Sequence, residues 1–251
     1  MPDTHPLTID TAETQALDAA RERLIVALDY SSAKAALDLV ERLSGQCRWF
    51  KVGLELYVAA GPVIVETLAG RGHSVFLDLK LHDIPNTVAG AVRSAAGLGA
   101  KLLTVHAGGG PVMLSAAREA AGACATAPRL LAVTVLTSMD AAQLAATGVA
   151  QAPQEQVELL ARMGMAAGID GFVCSAQEVG LLREITGPAG TLVTPGIRPA
   201  GAEIGDQQRV ATPAAALKAG ASYLVVGRPI TQAADPAAAA EEILREMVRN
   251  Y

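Results

Sequence analysis

Two carboxylates and an ammonium fall within six positions of one another in the run Asp78-Leu79-Lys80-Leu81-His82-Asp83. Residues two apart on an extended strand point to the same face, so Asp78 and Lys80 are expected to be neighbours. Opposite charges in contact favour each other's ionised forms, and an ammonium held this way suits stabilisation of developing negative charge followed by proton donation. Lys51, in Phe50-Lys51-Val52-Gly53, adds a second cation that reaches the same region if its strand lies alongside. A structural ion pair is the plain alternative, but burying several charges is costly unless function requires it.

A second constellation has different chemistry. Thr194-Pro195-Gly196-Ile197-Arg198 and Val226-Gly227-Arg228 each set a glycine beside an arginine. A glycine lets backbone N–H groups approach a ligand and a guanidinium grips an oxyanion through two bonds, so the pair points to a phosphate. A tight turn explains either glycine alone. The stretch 198–208 is long and polar for a connection of this kind and carries Gly201 and Gly205, which suits a lid.

Other polar residues have simpler readings. His106 precedes Ala107-Gly108-Gly109-Gly110, which lacks dinucleotide-binding spacing, and it is either a hydrogen-bonded structural residue or a ligand contact. Ser175 with Glu178 matches a capping box, and Thr137 or Ser138 is placed to cap a helix.

These side chains need elements to hold them. Short apolar runs rich in β-branched residues occur at 24–28, 50–54, 75–79, 102–105, 130–135, 172–174, 192–194 and 223–226. Unbroken apolar runs are the mark of strands buried on both faces, as in a parallel sheet covered by helices. Helical spacing lies between them, as in Ala36, Leu39, Val40 and Leu43, or Val88, Ala91, Val92 and Ala95. Thr212 before Pro213 and Asp235 before Pro236 are helix starts. Eight β-then-α units without a linker-like break predict an α/β fold, a single-domain (β/α)8 TIM barrel over 1–251, with an open doubly wound sheet as the alternative. Residues 1–20 are read as a loosely held arm or a short helix across the barrel bottom. Asp29, Lys51, Asp78, Lys80, His106 and Arg228 then fall at or near strand carboxyl ends, where barrels of this kind place their active sites.

Composition narrows the partners. A net charge of −5 and only eight aromatic residues, three Phe, four Tyr and one Trp, argue against nucleic acid, which is held by clustered cations and stacking rings. No apolar run reaches the ~18 residues of a membrane span, and 1–23 has no signal-peptide core. Cys47, Cys124 and Cys174 are odd in number and far apart, fitting neither a disulfide framework nor metal-ligand spacing, so a reducing, cytoplasmic protein is expected.

On Val26-Ala27-Leu28-Asp29, Phe50-Lys51-Val52-Gly53, Phe76 through Thr87, Val135-Leu136-Thr137-Ser138, Thr194 through Arg198 and Val226-Gly227-Arg228, the chain resembles the orotidine 5'-phosphate decarboxylase family over 24–248. The resemblance implies decarboxylation of orotidine 5'-monophosphate to uridine 5'-monophosphate, with no metal or organic cofactor. It implies a charged array of Lys51, Asp78, Lys80 and Asp83, the last reaching in, with Ile84 and Thr87, from the other subunit of a homodimer. Asp29 and Lys51 would hold ribose hydroxyls, and Thr137 or Ser138 the pyrimidine edge. Gln207, Gly227 and Arg228 would hold the phosphate, with Pro195 and Arg198 beside them. A magnesium-dependent keto-sugar-phosphate enzyme on the same scaffold is the nearest rival; an ammonium at Lys51 opposes a metal there. A phosphate-ligand sensor with no catalysis is the rival of another class, and it would not need an intact charged array.

Overall fold

The computed structural model describes residues 11–199 and 210–249. Helix α1 (Thr11–Arg21) precedes β1 (Leu24–Ala27), α2 (Ala33–Arg42), β2 (Trp49–Gly53), α3 (Leu54–Ala60) and α4 (Val63–Gly70). Next come β3 (Ser74–Leu81), α5 (Pro85–Gly97), β4 (Leu102–His106) and α6 (Gly110–Gly122). β5 (Arg129–Val133), α7 (Ala141–Ala146), α8 (Pro153–Ala166), β6 (Gly171–Val173) and α9 (Val179–Thr186) follow. The chain continues through β7 (Thr191–Thr194), α10 (Pro213–Lys218), β8 (Tyr223–Val226), α11 (Arg228–Thr231) and α12 (Pro236–Val248). Every strand pairs in parallel with the next, and β8 returns to pair with β1, so the sheet closes as expected and the open alternative is excluded.

Closure follows from the two-sided burial of the strands. Their outward side chains join the inner faces of the helices in one large core that includes Val26, Phe50, Leu77, Leu103 and Phe172. The inward side chains form a separate cluster of Ile25, Ala27, Trp49, Phe76, Leu102, Leu131, Val193 and Val225. Burying such a side chain contributes about 1.5–3 kcal/mol, so both cores favour the same closed sheet. Trp49 and Tyr223 meet edge-on, ring centroids 5.1 Å apart, near the strand amino ends and floor the barrel. Two residues further along the same inward columns stand Lys51 above Trp49, Asp78 above Phe76 and Thr104 above Leu102. The interior therefore passes from apolar floor to charged mouth.

Local signals are met in part. Thr212 Oγ1 accepts from the Ala215 N–H, and Asp235 Oδ1 accepts from those of Ala237 and Ala238, capping α10 and α12 as expected. Thr137 and Ser138 cap no helix: the chain first turns after β5, and Asp140 caps α7 in a reciprocal box with Gln143. At Ser175 half of the box forms, with its N–H donating to Glu178 while α9 opens only at Val179. Of the two readings for the N-terminal stretch, the helical one holds over α1, which packs on α12; its Asp18, and Glu22 just after it, pair with Arg48 before β2. Cys47, Cys124 and Cys174 are free thiols, and among the described residues no helix is long and apolar enough to cross a membrane.

Opposite the mouth, one side chain secures two loops. The Arg183 guanidinium donates to the carbonyls of Gly187 and Gly190 at 2.8 Å, to that of Gly220 at 2.6 Å and to Ser222 Oγ at 3.1 Å. It thereby clamps the connections that enter β7 and β8, the strands whose far ends carry the Gly-Arg motifs. Arg183→Met keeps the stem but strips the Gly220 carbonyl of its Arg183 donors and leaves those of Gly187 and Gly190 only longer bonds from Thr186, Gly190 and Ser222, and it is expected to cost about 1–3 kcal/mol in denaturant unfolding. An unchanged midpoint would show that the loops hold themselves.

Candidate active site

Two ion pairs stand at the mouth, on neighbouring strands. Lys51 Nζ contacts Asp29 Oδ1 at 2.9 Å, and the lysine side chain is only 13% exposed. Lys51 lines the same cavity as Asp78 and Lys80, on the strand beside theirs, and the hydrogen bond its Nζ makes there is to Asp29 on the β1 side. Gly53 shows why there is room. A β-carbon there would lie 2.8 Å from Lys51 Nζ and 3.6 Å from Asp29 Oδ1, so only a glycine leaves the pair its present position.

Lys80 Nζ bonds both oxygens of Asp78 at 2.9 Å. The two side chains meet as expected, but not through regular strand alternation. Leu77 pairs with Leu103 and Leu81 with Val105, so β3 advances four residues (77 to 81) while β4 advances two (103 to 105). Asp78, Leu79 and Lys80 thus bulge opposite Thr104. Lys80 has φ of 50°, and no other non-glycine described residue has a positive φ. The left-handed region costs an ordinary L-residue about 1–2 kcal/mol, so surrounding bonds must maintain it. The Lys80 N–H donates to Thr104 Oγ1 at 2.8 Å, and that hydroxyl donates to Asp78 Oδ1 at 3.0 Å.

His106 closes β4, and of its two readings the structural one holds. Its Nδ1 accepts from the Gly108 N–H at 3.1 Å, and its ring stacks on His82 at 5.1 Å. Burial first, then His82 and Lys80, pushes its pKa below the ordinary value, so the neutral ring is favoured beside the lysine.

The β7 and β8 ends supply the second half. Gly196 has φ of 76°, a turn that suits glycine, and sends the chain past Pro195 to the buried Arg198. Ile197 bridges Ala211, and the Arg198 N–H donates to the Ala211 carbonyl at 2.9 Å, so the stretch from 198 is pinned at both ends. Its interior, with Gln207, lies outside the described residues. Beside it, Gly227 leads into Arg228 and α11. Tyr30 after β1 donates to the Thr231 carbonyl at 3.3 Å, tying α11 to the strand end that carries Asp29.

One cavity of about 510 Å³ joins the halves, a size suited to a small ligand. Asp29, Lys51, Asp78, Lys80 and Thr137 line it, and so do Pro195, Arg198, Gly227 and Arg228 across the mouth. Thr137 lines it and Ser138 does not. Asp83, Ile84 and Thr87 also lie outside it; they are exposed, and among the described residues Asp83 Oδ1 accepts from the adjacent Ile84 N–H, at 2.6 Å. Thr231 and Gln232 line the cavity without having been singled out by sequence, since one turn after Gly227-Arg228 reads as plain helix. Among the described residues, no three His, Cys, Asp or Glu side chains gather where they could hold a metal.

Residues 22–243 match the family model described as orotidine 5'-phosphate decarboxylase / HUMPS family. An orotidine 5'-phosphate decarboxylase of Halorhodospira halophila is 55% identical over 225 residues, covering 90% of this chain and 95% of the relative. That of Pectobacterium carotovorum is 53% identical over 221 residues, covering 88% and 90%. The crystal structure of orotidine 5'-phosphate decarboxylase from Lactobacillus acidophilus superposes with a TM-score of 0.79 at 40% identity, over 90% of this chain and 98% of that one. With two ion pairs and two Gly-Arg corners around one barrel mouth, and these relatives spanning nearly all of it, the chain belongs to the orotidine 5'-phosphate decarboxylase / HUMPS family.

Proposed function

We propose that this chain converts orotidine 5'-monophosphate to uridine 5'-monophosphate and carbon dioxide, the last step of de novo UMP synthesis, without a cofactor. The observation that carries the reading is the Lys80 ammonium, held by both Asp78 oxygens at one side of a cavity whose other side presents Arg198 and Arg228. Heterolysis of the bond between carbon 6 and its carboxylate leaves an electron pair in the ring plane, which the π system cannot delocalise. Fixed charge must stabilise it, and Lys80 both offsets the developing anion and passes its proton to carbon 6. The resulting neutral amine regains a proton from solvent after product leaves.

The remaining roles follow from position. Asp29 and Lys51, paired beside the reacting end, are suited to the ribose hydroxyls, and Thr137 to the pyrimidine edge. Gly227, Arg228 and Arg198, with Pro195 beside them, line the far side of the cavity and receive the phosphate; Gln207, outside the described residues, is assigned to the phosphate by the family resemblance alone. Phosphate lies far from the breaking bond, so its binding energy accelerates the reaction only by closing the site over the charged array.

Asp83, Ile84 and Thr87 are assigned to the active site of a second copy. Support comes from the surface around them. The second, third and fourth βα units expose Leu54 (55%), Val58 (81%), Ile84 (67%) and Val112 (69%), large apolar side chains at the end of the barrel that carries the site. Exposed apolar side chains on three consecutive units are suited to cover by a second copy. A homodimer covering it would bring Asp83 to the partner's Lys80. The single domain is taken to run over 1–251, and the three free thiols fit work in the reducing cytoplasm.

Turnover of orotidine 5'-monophosphate by the purified chain tests the reading directly. Lys80→Ala is expected to lower kcat at least about 10⁴-fold while product binding survives, and near-normal turnover would remove Lys80 as proton donor. Mixing Lys80→Ala with Asp83→Ala subunits should restore about a quarter of wild-type activity, because half the reassorted dimers carry one intact site. No recovery on mixing would place Asp83 outside a shared site. Gly53→Ala, which drives a methyl into Lys51 Nζ, should lower kcat/KM about 10- to 100-fold without unfolding the chain; an unchanged value would mean that the position of Lys51 is immaterial.

A further inference from the structure

Thr104 touches neither the cavity nor any exposed surface, yet its hydroxyl is bonded on both sides to the residues that line the reacting end. The direction of those bonds is fixed by chemistry. A backbone N–H can only donate, so Oγ1 accepts from Lys80 and must give its single proton to the Asp78 carboxylate. The bulge removes the regular ladder partner that the Lys80 amide would otherwise find on β4, and Oγ1 takes its place. Complete burial keeps water from substituting, and a β-branched side chain holds Oγ1 at a nearly fixed point.

We propose that Thr104 is a positioning residue for the decarboxylation, its hydroxyl locking the left-handed backbone of Lys80 and aiming the Asp78 carboxylate that receives the ammonium. The proposal rests on the decarboxylase reading above. A single oxygen fixes both the backbone origin of the lysine and the anion to which its tip is tied. Asp78 Oδ1 consequently has two donors, Thr104 Oγ1 and Lys80 Nζ, and Oδ2 has Lys80 Nζ. Without the hydroxyl, Asp78 is free to rotate and Lys80 to relax from positive φ, and the ammonium leaves the line on which carbon 6 must receive its proton. Neighbouring strands provide an internal contrast. Thr134 is also buried, but its Oγ1 has no hydrogen-bond partner among the described residues.

The test is steady-state kinetics with wild type measured first, since absence of orotidine 5'-monophosphate turnover there would defeat the decarboxylase reading rather than this one. Thr104→Val keeps the shape and removes the hydroxyl; kcat should fall about 10- to 100-fold, with KM and the Kd of uridine 5'-monophosphate within about threefold of wild type. Thr104→Ser should restore most of kcat, and Thr134→Val should leave it unchanged. If Thr104→Val does not fold, Thr104→Cys against Thr104→Ser carries the same expectation, because a thiol is a poor donor and acceptor. Wild-type kcat in the valine or cysteine variant, a loss confined to KM, or an equal loss in Thr134→Val would overturn the proposal.

Discussion

The Asp78 carboxylate grips the Lys80 ammonium through both oxygens, and the surrounding architecture keeps that pair desolvated without sealing it. A pair taken wholly into an apolar interior loses more hydration than mutual attraction returns, whereas a pair left in water is screened to near irrelevance. The mouth of a closed barrel is intermediate. Asp78 is 14% exposed and Lys80 32%, above a dry plug of Phe76, Leu102 and Trp49. The plug excludes water from below, while the open end admits a ligand that can remove the rest. Charge is thus held where the field of an ammonium is strong and a substrate can still reach it.

The same barrel separates two tasks. Lys51, Asp78 and Lys80 stand on β2 and β3, whereas Arg198 and Arg228 follow β7 and β8. Continuous hydrogen bonding around the closed sheet makes the spacing between those groups a property of the fold rather than of any loop. Tyr30 and Arg183 reinforce it, one tying α11 to the end of β1, the other fixing the connections that enter β7 and β8. A rigid span of this kind fixes the distance between the charged array on β2 and β3 and the arginines after β7 and β8.

The strands were legible because burial on both faces leaves an unbroken apolar signature; 223–226 coincides with β8 to the residue. The charged residues were legible because each interrupts or closely follows such a run. What escaped depends on choices that types and spacing leave open. A lysine on β2 has neighbours on both sides, and its turn toward Asp29 is permitted by the missing side chain at Gly53, a residue that on sequence reads as punctuation. Alternation brought Asp78 and Lys80 together for the wrong reason, since the bulge at Lys80 has no glycine to announce it. Thr104 was hidden in Leu102-Leu103-Thr104-Val105, where a β-branched residue is what a buried strand ordinarily contains.

The bulge also bears on why the motif is compact. An unbulged β3 in step with β4 would spend two residues between Leu77 and the partner of Val105, not four, and would reach the mouth with one inward side chain in that interval. The two inserted residues allow both a carboxylate and the ammonium it holds to arrive at the same level of the cavity from a single strand. They also carry the chain outward, so that Asp83 and Ile84 emerge on the exposed surface instead of continuing the inward column. A local irregularity costing about 1–2 kcal/mol at Lys80 therefore accompanies the division of Asp78-Leu79-Lys80-Leu81-His82-Asp83, whose first half faces the cavity and whose last residue lies outside it on the exposed surface.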